Sequence, residues 1–170
     1  MADKTEDTEL DALFRTHYDR VARVIGRIIH DRARAEELAV DVFIKWWRNP
    51  SAHGAGAEGW LYRTAARHAL DEWRGAARRD RLGRMFAYFR TTQPPATPEG
   101  VYAAGAEQLQ VRTALAALGR RQVELLLLRS EGLSYHQIAA ALGMNPNSVG
   151  TLLSRSEDAF RKEFVKRYGK

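Results

Sequence analysis

Five side chains near the C-terminus are of the types that read DNA bases: Asn147, Ser148, Thr151, Ser154 and Arg155. Amides and hydroxyls donate and accept at base edges, while a guanidinium reaches phosphate or guanine. Val149, Leu152, Leu153, Ser156 and Phe160 recur among and after them at three- and four-residue spacing, which predicts one helix with a polar and a buried side. Upstream, Ser134 and Gln137 have the spacing of a capping box ahead of the apolar stripe Ile138, Ala139 and Leu142. Gly143 suits the left-handed turn that ends a helix, and Asn145-Pro146 supplies an N-cap with proline at the first helical position. Two short helices around a tight turn have the shape of a helix-turn-helix, whose second helix enters the major groove. An ordinary helical hairpin is the alternative reading of the same local pattern.

A second set of groups is cationic. Between Trp60 and Arg90 stand arginines 63, 67, 74, 78, 79, 81, 84 and 90, opposed by Asp71, Glu72 and Asp80. Guanidinium groups pair with phosphates and stack on bases, so this stretch suits an opened nucleic-acid strand, with solvated arginines or caps on helix-end carbonyls as the alternative. The preceding stretch has the opposite sign, with Asp31, Glu36, Glu37 and Asp41 against Arg32 and Arg34. A chain with net charge +6 and pI near 9.9 therefore offers one face to a polyanion and another to a basic protein.

These groups need helices to position them, and the apolar pattern supplies little else. The fold class expected is all-α, with two small helical domains joined by an extended Pro-rich linker. The 170 residues, 45% of them apolar, are enough for one ordinary domain or two small ones. After a polar lead-in, Leu13, Phe14, Val21, Val24, Ile25, Ile28 and Ile29 predict a helix over 10–30. Further helices are expected over about 33–48, from about 58 into the arginine-rich stretch, from about 106 to 118, and over 123–130. Three prolines within Thr91 to Gly100 forbid a continuous helix. The domains are thus expected at 8–89 and 106–168, with a linker at 90–105 that would span roughly 50 Å fully extended.

Several chemistries are excluded. There is no cysteine, hence no disulfide, thiolate zinc site or thiol redox sensor. The five histidines have no metal-ligand spacing, no serine sits in a nucleophile elbow, and His68 with Asp71 reads as a surface hydrogen bond, so neither an enzyme nor a metal or other cofactor is expected. Gly54-Ala-Gly-Ala-Glu-Gly59 matches G-x-G-x-x-G, yet no strand precedes it, so a glycine-rich loop is expected. With neither an 18-residue apolar run nor a basic-then-apolar leader, the chain is expected to stay in the cytoplasm.

Two segments together resemble the extracytoplasmic-function sigma factors of bacterial RNA polymerase. Ala35-Glu-Glu-Leu-Ala-Val-Asp-Val-Phe-Ile-Lys-Trp-Trp-Arg48, with Gly59-Trp-Leu-Tyr-Arg-Thr-Ala-Ala-Arg-His-Ala-Leu-Asp-Glu-Trp-Arg74, is similar to their second region. Ala114 to Phe164 is similar to their fourth. The resemblance implies that the acidic helix docks on the clamp of core RNA polymerase through Glu36, Glu37, Asp41 and Trp47. Of the adjacent Trp46 and Trp47, about 100° apart on a helix, one is expected in the core and the other at the surface. It also implies that the loop Asn49 to Gly59 and the following helix hold the opened −10 element of promoter DNA, with Arg63, Arg67, Arg74, Arg78 and Arg79 as the contacts. Asn147, Ser148, Thr151, Ser154 and Arg155 then read the −35 element as duplex, and an anti-sigma factor is an expected partner. Val40 stands where the family often has Gln, Arg67 where it often has Asn, and Gly150 and Leu152 where a basic residue is common, so no promoter sequence carries over. An operator-binding regulator would leave Trp60 to Arg74 without a role, and a sigma mimic that binds only proteins would leave the arginines without one.

Overall fold

The computed structural model describes the backbone of residues 2–88 and 102–169, and side chains over 8–80 and 105–169. Seven α-helices and one 3-10 turn make up the regular structure, with no strand among the described residues. They are α1 (Ala2–Gly26), α2 (Arg32–Trp47), the 3-10 turn Pro50–Ala52, α3 (Ala57–Tyr88), α4 (Tyr102–Ala117), α5 (Arg120–Ser130), α6 (Tyr135–Leu142) and α7 (Pro146–Tyr168).

The helix ends follow local chemistry. The Asp31 carboxylate accepts from the Arg34 amide and starts α2. At α5 the Gln122 side chain accepts from the Gly119 amide. The Ser134 hydroxyl accepts from the Gln137 amide while the Gln137 side chain accepts from that of Ser134, completing the capping box of α6. Gly143, at φ 60°, ends α6 in the left-handed region. The Asn145 side chain accepts from the Asn147 amide, with Pro146 opening α7.

Three boundaries differ from expectation. The first helix begins at Ala2 rather than Leu10 and stops at Gly26. Its polar start has no apolar stripe for periodicity to detect. Beyond Gly26 the chain turns so that Ile28 and Ile29 still reach the core. The expected loop over 49–59 is shorter, because Pro50–Ala52 forms a 3-10 turn and α3 already starts at Ala57. Residues 102–105, assigned to the linker, are helical. The Pro-rich remainder of that linker, and Arg90, lie outside the described residues.

Helices α1, α2 and α3 pack against one another, and in the C-terminal half α7 packs against α4, α5 and α6. The core of the first bundle contains Val24, Ile25, Val42, Phe43, Trp46 and Leu61. The second is built from Val123, Leu128, Ile138, Leu142, Val149 and Leu153. Helix α3 also packs against α5 and α6, so the two halves are docked on each other.

Candidate nucleic-acid and protein interfaces

The start of α7 gathers the expected base-reading groups. Val149, Leu153 and Ser156 are buried, and the Ser156 hydroxyl donates to the Leu152 carbonyl, so it needs no further partner. Asn147, Ser148, Thr151, Ser154 and Arg155 are all exposed on the other side. Gly150 faces the ring of Tyr135, where a Cβ would lie 3.3 Å from Cε2. The Tyr135 ring thus leans on the α7 backbone, with the Arg129 guanidinium 5.3 Å from its centroid.

The five arginines of α3 divide into two groups. On a helix advancing 100° per residue, Arg63, Arg67, Arg74 and Arg78 fall within about 60° of one another, whereas Arg79 lies about 160° from Arg63. Arg67 Nε donates to Glu124 Oε1 at 2.5 Å, and Arg74 donates to the carbonyls of Ala116 (3.1 Å) and Leu118 (2.7 Å) at the end of α4. Arg74 therefore caps a helix end, as the alternative reading of this stretch allowed, but across the two halves. Arg63 is half-buried, and its pKa is lowered by burial and then by the charge of Arg67. Arg78 and Arg79 are exposed, the latter 3.9 Å from Glu72.

Helix α2 presents a different surface. Its buried stripe runs Ala35, Leu38, Ala39, Val42, Phe43 and Trp46. Opposite, Val40, Ile44 and Trp47 are about 40% exposed, beside exposed Glu37 and Asp41. Glu36 pairs with Arg32 and Glu37 with Arg34, both at 2.9 Å, and Arg34 also reaches Glu72. The family resemblance named Trp47 here, while helix geometry left open which of the two tryptophans faces out; Ile44 was not named, although the spacing Val40, Ile44, Trp47 outside the buried stripe indicates it. Trp46 is fully buried, its Nε1–H donating to the Ala52 carbonyl at 3.0 Å and its ring 4.2 Å from that of His53.

The expected bond between His68 and Asp71 is not formed. Lys45 Nζ lies 2.5 Å from His68 Nε2, and Asp71 pairs with Arg120 at 3.0 Å. Burial and then the Lys45 charge lower the His68 pKa, which leaves Nε2 as the acceptor. The glycine-rich match at 54–59 carries a turn with Gly54 at φ 84° and the start of α3. Gly59 has a packing role, since a Cβ there would lie 2.8 Å from Cα of Ala141 on α6.

Comparison with known proteins matches the two halves of the chain to two regions of one family. Residues 13–79 match Sigma-70 region 2, and residues 108–159 match Sigma-70, region 4. The ECF RNA polymerase sigma factor SigE of Mycolicibacterium smegmatis is 32% identical over 162 residues, which is 92% of this chain and 62% of that protein. The ECF RNA polymerase sigma factor SigL of Mycobacterium tuberculosis is 32% identical over 159 residues, covering 88% of this chain and 86% of the relative. The RNA polymerase sigma factor YlaC of Bacillus subtilis is 28% identical over 92% of each chain. In fold, the chain is similar to the sigma factor RpoE of Bartonella quintana, solved in complex with the anti-sigma factor NepR. That likeness has a TM-score of 0.51 at 18% identity, over 90% of this chain and 94% of the other. With both regions matched in order and a relative covered over most of its length, the chain belongs to the extracytoplasmic-function sigma factors of the sigma-70 family.

Proposed function

We propose that this chain binds core RNA polymerase and directs it to a promoter of two elements, opening the −10 element with α3 and reading the −35 element with α7. One observation carries the reading: the exposed face of α2, where Val40, Asp41, Ile44 and Trp47 stand together away from the core. An operator-binding regulator has no use for this second surface, whereas a polymerase-docking protein requires one. Glu37 and Asp41 complement a basic partner helix, and Trp47 has the aromatic bulk that anchors protein interfaces. Arg63, Arg67, Arg74, Arg78 and Arg79 are the contacts to the opened strand, and Asn147, Ser148, Thr151, Ser154 and Arg155 those to the duplex. Such a factor works in the cytoplasm and is held in check by an anti-sigma factor.

The test is transcription from a library of genomic fragments by bacterial core polymerase with and without the purified chain. New fragment-specific transcripts support the proposal and define the promoter motif. Core binding without transcripts favours a mimic, and duplex DNA footprints without core binding favour an operator-binding regulator.

A further inference from the structure

One buried charge has no opposite charge beside it. Two charged residues are buried among those described, Glu124 and Arg112. Glu124 has Arg67 at 2.5 Å and Arg121 at 3.7 Å. Arg112, 6% exposed on α4, forms no ion pair with any described residue. Its Nε donates to the Gln108 carbonyl one turn back, at 3.1 Å, and its Cζ lies over the Trp73 ring of α3, 5.6 Å from the centroid. The ring covers a face of the guanidinium, whereas the N–H groups of Nη1 and Nη2 lie in its plane and find no acceptor among the described residues. Burial lowers the Arg112 pKa, with no carboxylate to oppose it. Arginine is almost never buried this far unless it is paired.

The unmet groups open onto a cleft of about 990 Å³ that Arg112 lines. No buried side-chain nitrogen of the described residues lacks a hydrogen-bond partner, so Nη1 and Nη2, which lack one, remain accessible there. Gln108, Val111, Arg112 and Leu115 share one face of α4, which packs against α3 and α7 and leaves this face open toward α1. Opposite stand Tyr18 and Ala22 of α1, with Leu126 and Phe160 beside them, all four half-buried. The other arginines of the lining already have carboxylates, Arg23 and Arg27 sharing Glu131 and Arg32 holding Glu36. Asp19 and Glu107, its remaining acids, are exposed, so solvent screens them. Apolar walls around one convergent unpaired charge, in a volume near the upper end of those that hold drug-sized molecules, are the makings of a small-molecule site.

We propose that this cleft binds a small amphipathic oxyanion, a molecule with one carboxylate or phosphate group on an apolar body. The head group takes the free edge of the Arg112 guanidinium, whose parallel N–H groups match two oxygens of either anion. The body lies against Ala22, Val111 and Phe160. Neither Arg112 nor these walls belong to the surfaces assigned above to polymerase and DNA.

The probe is anilinonaphthalene sulfonate, an aromatic oxyanion whose fluorescence rises in apolar surroundings. It is titrated into the full chain and then displaced with decanoate, decyl phosphate or decanol. One of the two anions should displace the dye at a concentration about tenfold or more below that of decanol, and the better of them identifies the head group. Arg112→Met keeps the apolar stem and removes the charge. It should raise the Kd of that anion about tenfold or more and leave that of decanol within about twofold. Ala22→Trp fills the cleft with Arg112 intact and should weaken anion and alcohol alike. Absence of saturable binding, displacement by decanol as readily as by either anion, or equal anion affinity in Arg112→Met overturns the site. Circular-dichroism melting checks that each variant folds. Should Arg112→Met not fold, Ala22→Trp decides, since a folded Ala22→Trp chain with unchanged anion affinity places the ligand elsewhere.

Discussion

Adjacent tryptophans at the end of α2 should give opposite phenotypes. Trp46 is fully buried, donates to the Ala52 carbonyl and stacks near His53. Trp46→Ala removes the ring, leaves a cavity and strands that carbonyl, at a cost of about 3–5 kcal/mol. For a chain of this size the melting temperature should fall by roughly 6–20 °C, since each kcal/mol shifts it by about 2–4 °C. Trp47 is 44% exposed on the opposite side, so Trp47→Ala should change stability by no more than about 0.5 kcal/mol. As an interface anchor it should cost about 2 kcal/mol of polymerase affinity, close to a 30-fold rise in Kd. Circular-dichroism melting of both variants, with competition against a dye-labelled chain for core polymerase, separates the effects. If Trp47→Ala competes like the unaltered protein, the α2 face is not the docking surface. If both variants melt alike, the assignment of core and surface is wrong.

Gly150→Ala should stabilise the chain. The helix gains up to about 1 kcal/mol of propensity, and the ring that the new Cβ would meet belongs to Tyr135, which at 44% exposure has room to move. A rise of about 1–3 °C in melting temperature is expected, and a fall would mean that the ring is pinned. His68 is held neutral by burial and by Lys45, so its folded pKa lies below the unfolded value of about 6.5. Its contribution to stability is complete above that value and is lost as pH falls through the folded pKa. Melting temperature should therefore decline below pH 6.5, less steeply in His68→Gln, and parallel profiles would exclude His68 as the source. Arg155→Ala should weaken the −35 footprint in the polymerase complex and reduce the salt slope of promoter binding by about one unit; an unaltered footprint removes Arg155 from the interface.

The helix-turn-helix was legible because each of its signals is local. Ser134 with Gln137, Gly143, and Asn145 with Pro146 act within a few residues, and the structure uses each as its chemistry predicts. The separation of Trp46 from Trp47 was legible for the same reason, since helix geometry alone divides neighbours. The fate of the arginines was not. Arg67 meets Glu124 across 57 positions of sequence, and no periodicity within either helix encodes that meeting. Glu124 reads in sequence as a solvated carboxylate of α5, and its burial becomes visible only once α3 is placed upon it. Gly59 and Ala141 are similarly ordinary small residues until their backbones touch.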